Sequence, residues 1–220
     1  MSGPAASTAW MGATERPTRT LLLRHGETPL STERRFAGVG DIPLTTRGID
    51  QANAAARALA GRADSIEVIA ASPLSRARRT AEIAGAALGL SVSVADGLRE
   101  TDFGAWEGFT FAEVRSRWPA ELDAWLADQD AAPPGGESFS AVRARVTKAK
   151  EDLLTEHRHR TILVVSHVTP IKVFVQLALQ APPESIYRMH LDVSSLSAVD
   201  WFDDGPAVLR AFNDTSHLTT

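Results

Sequence analysis

The sequence predicts an α/β fold, a mostly parallel central sheet covered by helices on both faces. Three observations predict it. From Arg19 onward, strand-like and helix-like segments alternate, the order expected of α/β layers. Residues 161–165 (TILVV) form a continuous apolar run rich in β-branched side chains, as a strand buried on both faces requires. Phe139, Val142, Val146, Ala149 and Leu153 recur at helical spacing, marking a long amphipathic helix just before that strand.

The elements follow in order. Residues 1–18 are rich in Ala, Ser, Gly, Thr and Pro without a period, and read as a disordered tail or linker. One domain is expected over 19–220. Residues 20–23 make a short apolar strand. Residues 46–60 place Ile49, Ala52, Ala56 and Leu59 on one helical face. Val68–Ala71 is the second strand. Ser72 then reads as an N-cap with Pro73 at the first helical position. Leu74, Ala77, Ala81, Ala84 and Leu88 continue that helix at core-facing spacing. Residues 91–94 form a third strand, and 109–128 a helix broken at Pro119. Residues 133–136 are a loop. Thr169 and Pro170 open a helix to about Ala178, and 193–213 hold one or two further strands.

Composition narrows the function classes. The 220 residues, 44% apolar and 23% charged, suffice for one such domain with a sizeable core. A formal net charge of −4 argues against a nucleic-acid partner for this domain. The absence of cysteine excludes disulfides, thiolate metal sites and a cysteine nucleophile, and fits a cytoplasmic location. The longest apolar runs, near 161–165 and 173–181, are too short to span a bilayer, so no membrane partner is expected. The N-terminus lacks the basic and apolar regions of a signal peptide.

Four polar groups fall just beyond predicted strands: Arg24-His25, Arg76, Glu100 and His167. Open α/β sheets bind ligands at such strand exits, so these residues are expected to share one pocket. The residue types suit phosphoryl transfer. Two guanidiniums can bind phosphate oxygens in bidentate fashion. A neutral imidazole can attack phosphorus, and a second, protonated, can stabilise the equatorial oxygens. A carboxylic acid can protonate the departing alkoxide and then activate water. Asp102, Glu107 and Glu137 compete with Glu100 for that role. Neither a metal cage nor a glycine-rich phosphate loop is legible, so no metal and no cofactor are expected. Arg34 and Arg35 read as a solvated basic pair able to draw in an anionic substrate. Trp106 is a candidate wall of the pocket. His157, His159, His190 and His217 receive no role.

These residues also carry a resemblance. Residues 21–28 (LLLRHGET) resemble the signature of the histidine phosphatase, or phosphoglycerate mutase-like, superfamily. GVGDIPLTTRGIDQA (38–52), SPLSRARRTA (72–81), LRETDFGAWEG (98–108), PGGES (134–138) and VVSH (164–167) resemble its further segments, in order and over about residues 19–215. The resemblance implies a three-layer α/β/α sandwich. It implies His25 as the phosphorylated histidine, Glu100 as proton donor, and Arg24, Arg76 and His167 as phosphoryl ligands. Ser31, Val168 and Lys172 depart from the pattern, standing where asparagine, glycine and arginine are usual. Ser31 is still expected to reach substrate, with a plain loop residue as the alternative.

Within the superfamily, ETDFGAWEG resembles the α-ribazole phosphatase branch and its broad-specificity acid phosphatase relatives. The whole chain is similar to the C-terminal phosphatase domain of actinobacterial proteins that carry an N-terminal ribonuclease H domain, which implies such a domain in a longer parent chain. The expected substrate is a small phosphomonoester, with α-ribazole 5′-phosphate first. The alternatives are a mutase, a phosphoglycerate-type phosphatase, and a silent phosphate-binding module.

Overall fold

Side-chain alternation along the central strands decides the architecture. In this computed structural model, which describes residues 16–62 and 65–218, six strands form one sheet in the order β3-β2-β4-β1-β5-β6. They are β1 (Thr18–Arg24), β2 (Val68–Ala71), β3 (Val92–Val94), β4 (Thr161–Ser166), β5 (Leu196–Trp201) and β6 (Ala207–Asp214). The first four pair in parallel, whereas β5 runs antiparallel to β1 and β6 antiparallel to β5. The sheet is therefore mostly parallel at its chemical end, with an antiparallel pair closing the far side.

Leu22, Ala70, Ile162 and Val164 point to one face, where they meet Val142 and Val146 of α6 (Phe139–Glu156) and Phe174 of α7 (Val168–Leu179). Their neighbours Leu21, Leu23, Leu163 and Val165 point to the other face. There they meet Ala55 and Ala56 of α2 (Thr46–Ala60) and Ala77 and Ala81 of α3 (Ser75–Leu88). Each buried Leu or Val contributes on the order of 1.5–3 kcal/mol. The expected three-layer sandwich is thus present, with a helix pair on each face. All five apolar positions expected on the face of α6 are buried. A third, mostly aromatic cluster joins α4 (Phe111–Arg117) and α5 (Pro119–Ala127), which break at Trp118-Pro119 as the sequence suggests. Among the described residues no helix is long and apolar enough to cross a membrane.

Four sequence expectations need correction. Ala52, Ala56 and Leu59 of α2 are buried as expected, but Ile49 is 37% exposed, and Gly48, Gln51 and Ala55 complete the buried face. Small residues form that face because α2 packs closely on α3. The third helix starts at Ser75, with Leu74 as an N-cap that makes no side-chain hydrogen bond. The Ser72 hydroxyl is engaged elsewhere, as described below. Trp106 is fully buried among Phe36 and Trp125 and does not line the cavity that holds His25 and Glu100. Finally, the expected tail lies outside the described residues up to position 15, but its end is built into the fold. Thr18 is buried at the start of β1, and its hydroxyl accepts from the His159 amide. A short helix, α1 (Pro29–Thr32), was not legible beforehand.

Candidate active site

The parallel strands β1, β2 and β4 end on one edge of the sheet, so the residues after them converge. His25 follows β1. Gly26 lets it do so: a Cβ there would lie 2.3 Å from the Gly48 carbonyl, and one on Gly48 would lie 2.2 Å from the Glu27 carbonyl. The two glycines let α2 press against the turn that carries His25. Thr80 of α3 accepts from the Gly26 amide at 3.3 Å and donates to the Arg76 carbonyl at 2.8 Å.

The imidazole of His25 is buried, with Nδ1 2.7 Å from the Gly26 carbonyl. A carbonyl only accepts, so Nδ1 carries the proton and Nε2 presents a lone pair. Burial, then the charges of Arg24 and Arg76, push the His25 pKa well below its ordinary value and keep the ring neutral.

His167, the residue before α7, is fully buried, and its ring centroid lies 5.0 Å from that of His25. Its Nε2 is 2.7 Å from the Ser72 hydroxyl, while its Nδ1 is buried with no partner. Burial first, then His25, Arg76, Arg24 and Arg145, push its pKa well below the ordinary value. Burial and these charges thus disfavour the protonated form expected from the sequence for the second imidazole. A neutral ring can still donate from Nδ1 if Ser72 donates to Nε2.

Arg24 ends β1. Its Nη1 donates to the Leu191 carbonyl at 2.6 Å, its Nε is buried without a partner, and burial lowers its pKa to about 10. Arg76 is fully buried in the first turn of α3. Its guanidinium donates to the carbonyls of Ala37, Gly38 and Gly40 at 3.1, 2.6 and 2.9 Å, leaving Nε unpartnered. The same loop is held from behind by Glu107, which accepts from the Gly38 and Val39 amides.

Glu100 is buried, and accepts from its neighbour's amide at Thr101 (2.8 Å) and from the Thr169 amide at 3.2 and 3.3 Å. Its rivals for the acid role are committed elsewhere. Glu107 binds the 38–39 amides, Asp102 accepts from the Gly104 amide, and Glu137 pairs with Arg145. None of the three lines the cavity that Glu100 lines.

That cavity holds about 780 Å³ and is lined by Arg24, His25 and Glu100, whereas Arg76 and His167, both fully buried, are not among its lining residues. Ser31 also lines it, but its Oγ donates to the Thr28 carbonyl and accepts from the Thr28 amide in the capping box of α1. Donation to substrate would require that bond to break. Arg34 and Arg35 line the rim, and Arg35 is paired with Glu33 and Glu113 rather than solvated. Val168 faces the cavity, and Lys172 donates to the Ile186 carbonyl.

Sequence reasoning missed several contributors. Phe36, Phe103 and Phe111 form an apolar wall, with Phe111 47% exposed. His190 lines the opposite rim, 3.0 Å from Asp192. Ser72 and Arg145 act one step behind the pocket. The Ser-Pro pattern at 72–73 carried a signal, but it reads equally well as a helix cap.

The order of these residues on these elements is that of a known family. Residues 20–215 match the model of the histidine phosphatase superfamily, branch 1. The chain belongs to that superfamily. It is 48% identical over 212 residues to a bifunctional protein of Mycobacterium tuberculosis, covering 96% of this chain and 58% of that one. The chain thus spans little more than half the length of such relatives. It is 32% identical over 196 residues to the adenosylcobalamin/alpha-ribazole phosphatase of Escherichia coli, covering 89% and 95%. The solved structure of a mycobacterial glucosyl-3-phosphoglycerate phosphatase superposes with a TM-score of 0.81 at 30% identity, covering 91% and 100% of the two chains.

Proposed function

We propose that the domain hydrolyses small phosphomonoesters through a phosphohistidine on His25 Nε2, without a metal ion. The observation that carries the reading is the tautomer of His25. The bond from Nδ1 to Gly26 leaves Nε2 as a neutral nucleophile in a pocket lined by Arg24 and Glu100, with the fully buried Arg76 near enough for its charge to act on the ring. In the first step Nε2 attacks phosphorus and the P–O bond to the leaving group breaks. Arg24, Arg76 and the Nδ1 proton of His167 meet the equatorial oxygens, and a bound dianion offsets the arginine charges that hold both imidazoles neutral. Glu100 gives its proton to the departing oxygen. As a carboxylate it then takes a proton from water, whose oxygen attacks phosphorus and releases phosphate from neutral His25. The arginines supply the positive charge that a metal would otherwise bring. Ser31 is a secondary contact in this reading.

The apolar wall of Phe36, Phe103 and Phe111 supports a leaving group with a flat or apolar body. α-Ribazole 5′-phosphate has that character, and the similarity to the alpha-ribazole phosphatase supports it as first candidate. A ribonuclease H domain in a longer parent chain, in the cytoplasm, is a separate proposal supported by the greater length of the bifunctional relative.

The test is rapid-quench labelling during turnover of a panel of phosphomonoesters, including α-ribazole 5′-phosphate. Wild type should acquire acid-labile, base-stable phosphate and release inorganic phosphate, with excess EDTA present. His25→Ala should do neither. Normal turnover by His25→Ala would overturn the mechanism. Transfer of phosphate within the substrate, with little release, would make the protein a mutase.

A further inference from the structure

We propose that Arg145 is a positioning residue for Glu100, gripping the backbone of the segment that carries it. The proposal rests on the reading of Glu100 as the proton donor. Glu100 lies well beyond the end of β3 at Val94 and, unlike Arg76 on α3, is carried by neither a strand nor a helix. The intervening chain passes through the 3-10 turn Asp96–Leu98, which is not paired in the sheet. The sheet holds it at Leu98, whose carbonyl accepts from the Ser166 hydroxyl of β4 at 2.7 Å, and a helix can fix the rest of the segment.

Arg145 of α6 does so with its full set of donors. Nη1 donates to the carbonyls of Gly97 and Arg99 at 3.0 and 2.7 Å. Nη2 donates to the Glu100 carbonyl at 2.9 Å. Nε and the second Nη2 proton form a fork on the two oxygens of Glu137, each at 2.9 Å. A guanidinium has five N–H donors in a fixed plane, and all five are used. Glu137 in turn accepts from the Asp102 amide at 3.1 Å and from Arg99 at 3.3 Å. The carbonyls at 97, 99 and 100 and the amide at 102 are thus tied to one ion pair, between Arg145 on α6 and Glu137 just before that helix. Packing agrees. A Cβ at Gly97 would lie 2.9 Å from the Arg145 carbonyl and 2.8 Å from the Ala149 Cβ, so α6 sits directly on the turn.

A lysine cannot replace this fork, since a single ammonium cannot bridge three carbonyls and a bidentate carboxylate. Displacing Glu100 by a fraction of an ångström should impair protonation of the leaving group while His25 still attacks. The effect should therefore depend on the leaving group, which a general loss of packing would not.

The experiment measures burst and steady-state kinetics of wild type, R145K, R145A, E137Q and E100Q with p-nitrophenyl phosphate and with glycerol phosphate. Melting temperatures are recorded alongside. R145K should slow phosphorylation by glycerol phosphate about 10–100-fold and by the nitrophenyl ester less than about 3-fold, with KM little changed. E137Q should show the same selectivity in weaker form, and it carries the test if R145A does not fold. In an E100Q background R145K should add no further loss with glycerol phosphate. Equal losses of R145K on both substrates, or additive losses in the double variant, would overturn the role of Arg145. Loss of selectivity in E100Q alone would instead overturn the assignment of Glu100.

Discussion

At the scale of single residues, the site depends on two imidazoles kept neutral. Their pKa values fall well below the ordinary value because burial disfavours charge and two arginines repel it. Each group thus binds a proton more readily in the unfolded chain than in the folded one. The stability they allow is fully present above about pH 6.5, the ordinary histidine value, and is lost as pH falls below it. Melting temperature should decline between pH 7 and pH 5, and His25→Ala and His167→Ala should each flatten that decline. An identical slope in the variants, read by calorimetry across pH, would show that these rings are not held neutral. His25, His167, Arg24 and Arg76 were legible because each follows a strand or opens a helix. Ser72 was not. Its neighbour Pro73 suggested a cap, whereas only the fold brings its hydroxyl to His167. The engagement of Ser31 was equally hidden, because a capping box of four residues looks the same as a loop.

At the scale of elements, the contacts that shape the site are backbone contacts, which leave weak traces in sequence. The face of α6 was legible from apolar spacing alone. The face of α2 was legible in Ala52, Ala56 and Leu59 but not at Ile49, because its contact with the first turn is made by Gly48 rather than by a large side chain. The 37–40 loop joins Arg76 to Glu107 through carbonyls on one side and amides on the other. Glu107 looked like a rival acid because a carboxylate that lines the cavity is spelled the same as one that does not. Gly48 gives the sharpest test at this scale. Gly48→Ala would place a Cβ 2.2 Å from the Glu27 carbonyl, and backbone cannot yield as a flexible side chain can. The substitution should cost roughly 1–3 kcal/mol in urea denaturation, with a further loss of turnover as the Arg24-His25-Gly26 turn is displaced. A variant with wild-type stability and activity would mean that α2 can slide away from the turn freely.

At the scale of the whole molecule, the alternation of strands and helices made the layers legible, and the β-branched run placed β4 at the centre of the sheet. The direction of the last strands was not legible, because a period of two is the same in parallel and antiparallel strands. What closes the sheet is the pairing of β1 between β4 and β5, and this gives the N-terminal boundary physical meaning. Thr18 pairs with Trp201 in the β1–β5 ladder, while Arg16 donates to Glu67 at 2.8 Å and its carbonyl meets His159. Residues 1–15 offer a composition with little to bury, so we expect them to contribute nothing to the fold. Two truncations separate the cases. Removing 1–15 should leave melting temperature and turnover unchanged. Removing 1–18 takes away a buried threonine, its bond to the His159 amide, and the end of a central strand that leads to His25. That deletion should lower the melting temperature by several degrees, since about 1 kcal/mol shifts a domain of this size by roughly 2–4 °C. A clear drop with the shorter truncation would show that residues 1–15 pack on the domain, and no drop with the longer one would show that the sheet does not depend on the first residue of β1.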